Sequence, residues 1–271
     1  MENLYMSTFI AAMDHSGGST GGVLERYGQE YTEENKMDLV HEMRLRMINS
    51  PLFDGTNIWA AIVYKDSVDK NIVDNLFFKG IETYLKVDSG CDTLGLLLNF
   101  PIADMIEYAK ANGCTGTKMR SIVKSDETID AVLTQQFALA TQISDAGLMP
   151  IVEPEVPIDN LYKKEIEVLL ESALQCHLKN FKGKCILKLT LPEVNNLYHK
   201  LTKLPNVHKV VGLSGGYSTL EACARLGQQN DVTASFSRAL SEGLFHTQSE
   251  ADFNTRISDN IKLIIACCTN G

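Results

Sequence analysis

Basic residues are scarce in this sequence. The 271-residue chain carries 25 lysines and arginines against 34 aspartates and glutamates, which gives a formal net charge of −9 at pH 7. A nucleic-acid-binding domain needs a basic surface that neutralises successive phosphates, and no basic stripe of that kind is present. We therefore exclude nucleic acid as a partner, although single cationic side chains remain available to bind a small anion.

The cysteines lack the spacing of a metal site or of a disulfide framework. There are seven of them, an odd number, and none forms a Cys-x-x-Cys pair, although Cys267 and Cys268 are adjacent. Metal sites and small disulfide-stapled domains are built on such pairs or on even sets. We expect a reducing, cytoplasmic setting and no metal.

Long apolar runs and targeting signals are also missing. No stretch is apolar for long enough to span a bilayer, and the first residues lack the basic and apolar regions of a signal peptide. We expect a soluble protein with no membrane partner. Because residues 1–6 resemble part of a protease-cleavage tag, the fold is predicted for residues 7–271.

Linkers, low-complexity tracts and internal repeats are absent, and 44% of the residues are hydrophobic, so one domain with a large core is expected. Strand-like and amphipathic runs alternate, and the clearest helix, 126–146, can be capped by Ser125 and ended by Gly147. The predicted strands are 8–14, 57–64, 83–88, 114–121, 148–155, 184–190, 207–213 and 231–236. Eight βα units indicate the α/β class and a closed (β/α)8 TIM barrel.

A lone lysine interrupts the sixth of these strands. Side chains alternate along a strand, so Lys188 shares a face with Ile186 and Thr190, while the neighbouring leucines cover the other face. A lysine deprived of water loses its proton readily and becomes a nucleophilic amine that can form a Schiff base with a carbonyl. The other interpretation is a lysine that reaches past the strand end to solvent.

Charged residues also lie near the carboxyl ends of other predicted strands. Within three of these strands the charges are spaced by two, so each pair shares one face, which predicts a polar barrel lumen. Active sites of (β/α)8 barrels lie at this end of the barrel. These residues are Asp14, Lys86 with Asp88, Lys118 with Arg120, and Glu153 with Glu155.

Two loops at the same end have the composition of a phosphate site. Ser214-Gly215-Gly216 follows the seventh predicted strand, and Ser237 and Arg238 follow the eighth. Loops at these two positions often bind phosphate through backbone N–H groups, and an arginine adds a bidentate contact. A simple turn is the alternative for the Ser-Gly-Gly motif.

Taken in order along the chain, these motifs resemble those of class I fructose-bisphosphate aldolases of the short bacterial type. The resemblance covers the chain from Ser7 to its end and rests on seven runs: Ala11–Ser19, Leu85–Asp88, Thr117–Arg120, Pro150–Glu155, Leu187–Lys188, Leu213–Gly216 and Phe236–Arg238.

The resemblance implies a role for each candidate residue. It makes Lys188 the Schiff-base lysine, and the residues implied around it are Asp14, Lys118, Glu153 and Glu155. One substrate phosphate would bind to Ser214, Gly215 and Arg238, with Ser237 in the same loop. The residues implied near the second phosphate are Ser16, Ser19 and Lys86, with Arg120 in the same cleft. No cofactor is implied, the ligands are sugar phosphates, and we expect a homo-oligomer.

The chemistry of aldol cleavage explains these residue types. Breaking the C3–C4 bond of a ketose leaves a carbanion, and an iminium of Lys188 at C2 can take up its electrons. Dehydration of the carbinolamine needs a proton donor, for which Glu153 is the candidate. Asp14 would accept the C4 hydroxyl proton, while Lys118 would hold substrate hydroxyls and keep Lys188 deprotonated by like-charge repulsion.

Some features depart from this pattern or stay ambiguous. Longer family members end in a tyrosine that assists proton transfer at C3, whereas the last tyrosine here is Tyr217, so that role is unassigned. The loop before Arg238 has Phe236-Ser237 where longer members have an aromatic residue and glycine. A packing or loop role is favoured for His15, and Arg26 either contacts phosphate or lies on a solvated helix face.

Three other functions are alternatives to this one. A transaldolase or deoxyribose-phosphate aldolase also uses a barrel lysine, but it binds one phosphate and needs no cations at both ends of the cleft. A zinc-dependent class II aldolase requires histidine ligands at strand ends, and the histidines here are scattered along the chain. A scaffold role could coexist with catalysis and leaves no signature in the sequence.

Overall fold

The structure, a computed structural model, describes residues 8–17 and 19–268. Eight parallel strands follow one another around a closed barrel in chain order, and the last strand pairs with the first. The strands are β1 Phe9–Ala12, β2 Ile58–Val63, β3 Glu82–Lys86, β4 Gly116–Ile122, β5 Met149–Glu155, β6 Cys185–Thr190, β7 Val207–Leu213 and β8 Val232–Phe236. The predicted (β/α)8 barrel is confirmed, with strand ends that differ from the prediction by at most two residues.

Helices surround the barrel. The α-helices are α1 Ser19–Tyr27, α2 Lys36–Ile48, α3 Lys65–Val68, α4 Ile72–Phe78, α5 Ile102–Ala111, α6 Ile129–Asp145, α7 Lys163–Asn180, α8 Thr219–Leu226, α9 Arg238–Ser241 and α10 Glu250–Cys268. Short 3-10 helices occupy Asp126–Thr128 and Leu201–Lys203. Of the helices in the described ranges, none combines the length and apolarity that crossing a bilayer requires.

The predicted helix at 126–146 is present, but its first turn is tighter than an α-helix. The 3-10 turn precedes α6, and the Thr128 hydroxyl accepts a hydrogen bond from the backbone N–H of Ser125 at 3.4 Å. Beyond the other end, Gly147 has a φ of +83°, a conformation that disfavours residues with a Cβ. The apolar face is buried as the 3.6-residue period predicts: Ile129, Val132, Leu133, Phe137 and Ala140.

One βα unit differs from the alternation predicted by the sequence. The connection between β6 and β7, which the structure describes throughout, contains a 3-10 turn and no α-helix. Asn196, inside this connection, has a φ of +59°, a left-handed conformation that an α-helix does not contain. This residue interrupts the segment before a regular helix can form.

Alternation along the strands produces two apolar layers. The outward side chains, among them Leu187 and Leu189, pack under the helices. The inward ones form a separate cluster of Ile10, Ala12, Trp59, Ala60, Ile62, Tyr84, Ile151, Ile186 and Val211. This apolar cluster packs the lumen, and active sites of such barrels lie at the carboxyl ends of the strands.

Candidate active site

Four ionisable side chains meet at the carboxyl end of the lumen, each from a different strand or its following loop. Glu153 of β5 contacts two lysines: its Oε1 lies 3.1 Å from Lys188 Nζ, and its Oε2 lies 3.0 Å from Lys118 Nζ. The same Lys118 Nζ lies 2.5 Å from Asp14 Oδ2. The result is a continuous row of alternating charges across the barrel, from β1 through β4 and β5 to β6.

Three of these side chains are almost completely removed from solvent. Lys118 and Glu153 are 3% exposed and Lys188 is 4% exposed. Removing an isolated charge from water costs several kcal/mol even after relaxation, so such groups are tolerated only when they are paired. Each lysine here has a carboxylate within 3.1 Å, which offsets this cost. The observed burial of Lys188 excludes the alternative of a lysine that reaches to solvent.

The pairing sets the direction in which the pKa values move. Burial would raise the pKa of Asp14, but the charges of Lys118 and Lys188 outweigh burial and lower it. The pKa of Lys118 is raised, because Asp14 and Glu153 overcome a burial effect of opposite sign. The pKa of Glu153 is lowered by the two lysines against the effect of burial. Asp14 and Glu153 are therefore carboxylates at neutral pH, and Lys118 is a cation.

A second carboxylate lies next to this row in a different environment. Glu155 Oε2 accepts a hydrogen bond from the Arg120 guanidinium at 3.1 Å. Burial raises the pKa of Glu155 more than Arg120 lowers it, whereas the pKa of Arg120 is raised by Glu155 against the effect of burial. The pKa values of the two glutamates of β5 are thus displaced in opposite directions, that of Glu153 downwards and that of Glu155 upwards.

The row forms the floor of a cleft of about 350 Å³. On one side lies the loop after β7, where Gly215 and Gly216 have φ values of +58° and +124°, which favour glycine. A Cβ on Gly216 would lie only 2.8 Å from Nη1 of Arg238, so the glycine allows the arginine to lie over this loop. The pKa of Arg26 is lowered by partial burial and by the charge of Arg238, so two cations converge on this end.

The other end of the cleft carries a lysine from β3, which is opposite β7 in an eight-stranded barrel. Lys86 Nζ donates a hydrogen bond to Ser16 Oγ at 2.7 Å and lies 3.5 Å from Asp88 Oδ1. Asp88 in turn accepts a hydrogen bond from the backbone N–H of Arg120 at 3.2 Å, which links β3 to β4. The cleft therefore has cations at both ends, on opposite sides of the barrel.

Most of the residues singled out in the sequence come together here. Those that line the cleft are Asp14, Lys86, Lys118, Arg120, Glu153, Glu155, Lys188, Ser214, Gly215, Ser237 and Arg238. Ser16 joins the same region through its hydrogen bond with Lys86. The side chain of Ser19 and the whole of residues 1–7 and 269–271 lie outside what the structure describes.

Sequence reasoning left the roles of Arg26 and His15 open and missed Gly22. Arg26 and Gly22 of α1 both line the cleft, and Gly216 lines it with the rest of the Ser-Gly-Gly loop predicted to bind phosphate. His15 lies in a loop, as expected, but its ring contacts Ser237 Oγ at 2.9 Å, so its role extends beyond apolar packing. Its position directly after Asp14 is the one signal in the sequence that places it near the chemistry.

Metal ligands are not clustered in residues 8–17 and 19–268. Nowhere in these ranges do three or more His, Cys, Asp or Glu side chains lie close enough together to hold a metal ion.

Comparison with known proteins gives both close relatives and similar structures. The chain is 45% identical over 275 residues to a fructose-bisphosphate aldolase class 1 of Synechocystis sp., covering 94% of this chain and 92% of the relative. It is 42% identical to the protein of the same name from Clostridium acetobutylicum, covering 94% and 93%. No family model matches the chain.

Two solved structures share the fold at low sequence identity. The fructose-bisphosphate aldolase of Plasmodium falciparum, solved in complex with TRAP and an inhibitor, superposes with a TM-score of 0.79 at 19% identity, covering 97% of this chain and 91% of that one. An archaeal fructose 1,6-bisphosphate aldolase superposes with a TM-score of 0.60 at 11% identity, covering 96% and 94%.

Proposed function

Because this chain belongs to the class 1 fructose-bisphosphate aldolase family, we propose that it reversibly cleaves fructose 1,6-bisphosphate to dihydroxyacetone phosphate and glyceraldehyde 3-phosphate. The observation that carries the assignment of the site is the buried contact between Lys188 and Glu153, 3.1 Å apart on the floor of a cleft with cations at both ends. In this reaction Lys188 forms an iminium with the substrate carbonyl at C2.

Glu153 moves the protons of iminium formation. It first takes a proton from the Lys188 ammonium, which leaves a neutral amine to attack C2. The resulting carbinolamine then loses its hydroxyl as water, with the proton that Glu153 has just received. The 3.1 Å distance between Lys188 Nζ and Glu153 Oε1 allows direct proton transfer. After the two transfers Glu153 is again a carboxylate.

Asp14 takes the C4 hydroxyl proton when the C3–C4 bond breaks. The electrons of that bond move into the iminium, so the aldehyde product leaves and an enamine stays on Lys188. A base must be ionised, and Lys118 keeps the pKa of Asp14 low. Protonation of the enamine at C3 and hydrolysis of the iminium then release dihydroxyacetone phosphate. The proton gained at C3 balances the one lost from the hydroxyl, so no net proton is consumed.

The two ends of the cleft bind the two phosphates. We assign the phosphate shared by fructose 1,6-bisphosphate and fructose 1-phosphate to Ser214, Gly215, Ser237 and Arg238. We assign the other phosphate to Lys86, which lies across the barrel beside Ser16. A one-phosphate substrate of a transaldolase or a deoxyribose-phosphate aldolase would leave one cationic end unused, which favours the bisphosphate.

The proposal extends to metal dependence, location and assembly. The iminium supplies the electron sink that a zinc ion supplies in class II enzymes, so chelators should leave the activity intact. Membership of the family also supports a cytoplasmic homo-oligomer that acts on sugar phosphates.

Two matched variants test the proposed function. Lys188→Met should abolish cleavage of fructose 1,6-bisphosphate in an assay coupled to product oxidation. Lys163→Met removes a lysine that is equally buried, 4% exposed and paired with Glu167 on α7 outside the cleft. That variant should lose stability but keep its kcat per folded molecule. Retention of cleavage by Lys188→Met would contradict the proposal.

A further inference from the structure

We propose that His15 is a positioning residue of the phosphate site: as its Nε2-protonated tautomer it donates a hydrogen bond to Ser237 Oγ, so that the Ser237 hydroxyl proton is directed to a substrate phosphate. This inference rests on the proposed function, in which the loop after β8 holds a phosphate. It gives a role to a residue that the mechanism above does not use.

The contact joins two loops that are remote in the sequence. His15 follows β1 and Ser237 follows β8, and the two strands are neighbours because the barrel closes through them. His15 Nε2 and Ser237 Oγ are 2.9 Å apart, and both residues line the cleft. Because Ser237 directly precedes Arg238, a hydrogen bond to Ser237 also restrains the position of Arg238.

The backbone of His15 is held from outside the barrel. Its carbonyl oxygen accepts a hydrogen bond at 2.7 Å from Arg44 of α2, a side chain that is 1% exposed. The Arg44 guanidinium also lies 3.1 Å from Asp66 Oδ2 and donates to Ser67 Oγ at 2.6 Å. The loop that carries the imidazole is therefore anchored to α2 and α3. The imidazole ring is therefore held in a defined position relative to the Ser237 hydroxyl.

The charge state of His15 makes the choice of tautomer decisive. Burial lowers its pKa to about 4, and the charges of Arg44, Arg26 and Lys118 add to this effect against the opposing charge of Asp14. The imidazole is consequently neutral at neutral pH and donates from one nitrogen only.

The hydroxyl of Ser237 has a single proton, whereas a phosphate oxygen only accepts hydrogen bonds. If His15 Nε2 accepted that proton, the hydroxyl would have none left for phosphate. If Nε2–H donates instead, Ser237 accepts from the histidine and donates to the substrate. Binding of phosphate by Ser237 therefore requires the Nε2–H tautomer of His15.

Kinetics on the full-length protein test the coupling between the two residues. His15→Ala and Ser237→Ala should each raise KM about two- to tenfold, the range for one neutral hydrogen bond, with little change in kcat. The increase should be equal for fructose 1,6-bisphosphate and fructose 1-phosphate, which share this phosphate. The KM of the double variant should be no higher than that of either single variant, because both changes remove the same hydrogen-bonded pair.

Two further variants separate positioning from a general loss of structure. His15→Gln keeps an N–H donor and should recover most of the lost affinity. His177→Gln is the matched control. His177 lies on the outer helix α7, with its Nε2 2.9 Å from Oδ1 of Asp130 on α6, so this variant should leave KM unchanged. Thermal unfolding of each variant identifies any that do not fold.

Two readouts do not depend on turnover. The ¹⁵N spectrum of histidine-labelled protein should show His15 protonated at Nε2, with its signals assigned by their loss in His15→Gln. Inorganic phosphate should bind about two- to tenfold more weakly to folded His15→Ala than to the wild type.

An Nδ1–H tautomer, unchanged phosphate affinity or additive kinetic losses would each overturn the inference. A wild-type protein that binds phosphate through His15 but does not cleave fructose 1,6-bisphosphate would instead refute the proposed function alone.

Discussion

Replacing Glu153 by glutamine is the perturbation that separates the steps of the mechanism most sharply. The change keeps the shape of a side chain that is 3% exposed but removes the charge that lies between Lys188 and Lys118. The amide can neither accept the ammonium proton of Lys188 nor return it to the carbinolamine hydroxyl. General acid–base groups contribute about 10²- to 10⁴-fold to a rate, so iminium formation should slow by that factor.

The change removes both proton transfers that we assign to Glu153. Formation of the amine that attacks C2 and dehydration of the carbinolamine should therefore slow together. Rapid-quench trapping with borohydride, which reduces the iminium but not the carbinolamine, should show the iminium delayed. Accumulation of iminium at the wild-type rate would refute this role of Glu153.

A matched control distinguishes lost chemistry from lost stability. Glu167 on α7 is fully buried and its Oε1 lies 2.5 Å from Lys163 Nζ, outside the cleft. Breaking a buried ion pair by removing one partner costs about 3–5 kcal/mol. Glu167→Gln should therefore destabilise the fold while its folded fraction forms the iminium at the wild-type rate.

Three other predictions follow from the site. Asp14→Asn should form the iminium normally but lower the rate of C3–C4 cleavage about 10²- to 10⁴-fold, measured by single-turnover product release; normal cleavage would contradict its role as base. Arg238→Ala should reduce kcat/KM about ten- to a hundredfold for both fructose 1,6-bisphosphate and fructose 1-phosphate, whereas Lys86→Ala should reduce it for the bisphosphate only. Equal losses on both substrates in the Lys86 variant would exclude our placement of the second phosphate. The pKa of His15 falls from 6.5 to about 4 on folding, so the unfolded chain binds the extra proton first and stability is lost as pH falls from about 6.5 towards 4. Urea unfolding should show His15→Gln losing about 1.5 kcal/mol less than the wild type between pH 6.5 and 5, and equal losses would contradict this assignment.

The period of two along single strands was sufficient to predict the inner face of the barrel. Lys188 lies between two leucines, and the structure places those leucines under the helices and the lysine in the lumen. The same argument brought Lys118 and Glu153 to one surface from separate strands. Because chemistry in this fold occurs where parallel strands end, local patterns predict the position of the site as well as its residues.

Contacts between remote loops were not accessible to this reasoning. His15 and Ser237 are separated by 222 positions, and nothing in either local sequence indicates that their side chains meet. The buried Arg44 that fixes the loop of His15 lies on an amphipathic helix, where an arginine is expected to face solvent. The absence of a helix between β6 and β7 was not predicted, because the apolar residues of the segment suggest a helix and the left-handed conformation of Asn196 is not evident from the sequence.

Chemical trapping tests the central claim most directly. The purified protein is incubated with dihydroxyacetone phosphate and sodium borohydride, digested, and analysed by peptide mass mapping. The account predicts loss of activity together with one reduced adduct, on the peptide that contains Lys188. An adduct on Lys86 or Lys118, or full activity after treatment, would contradict it.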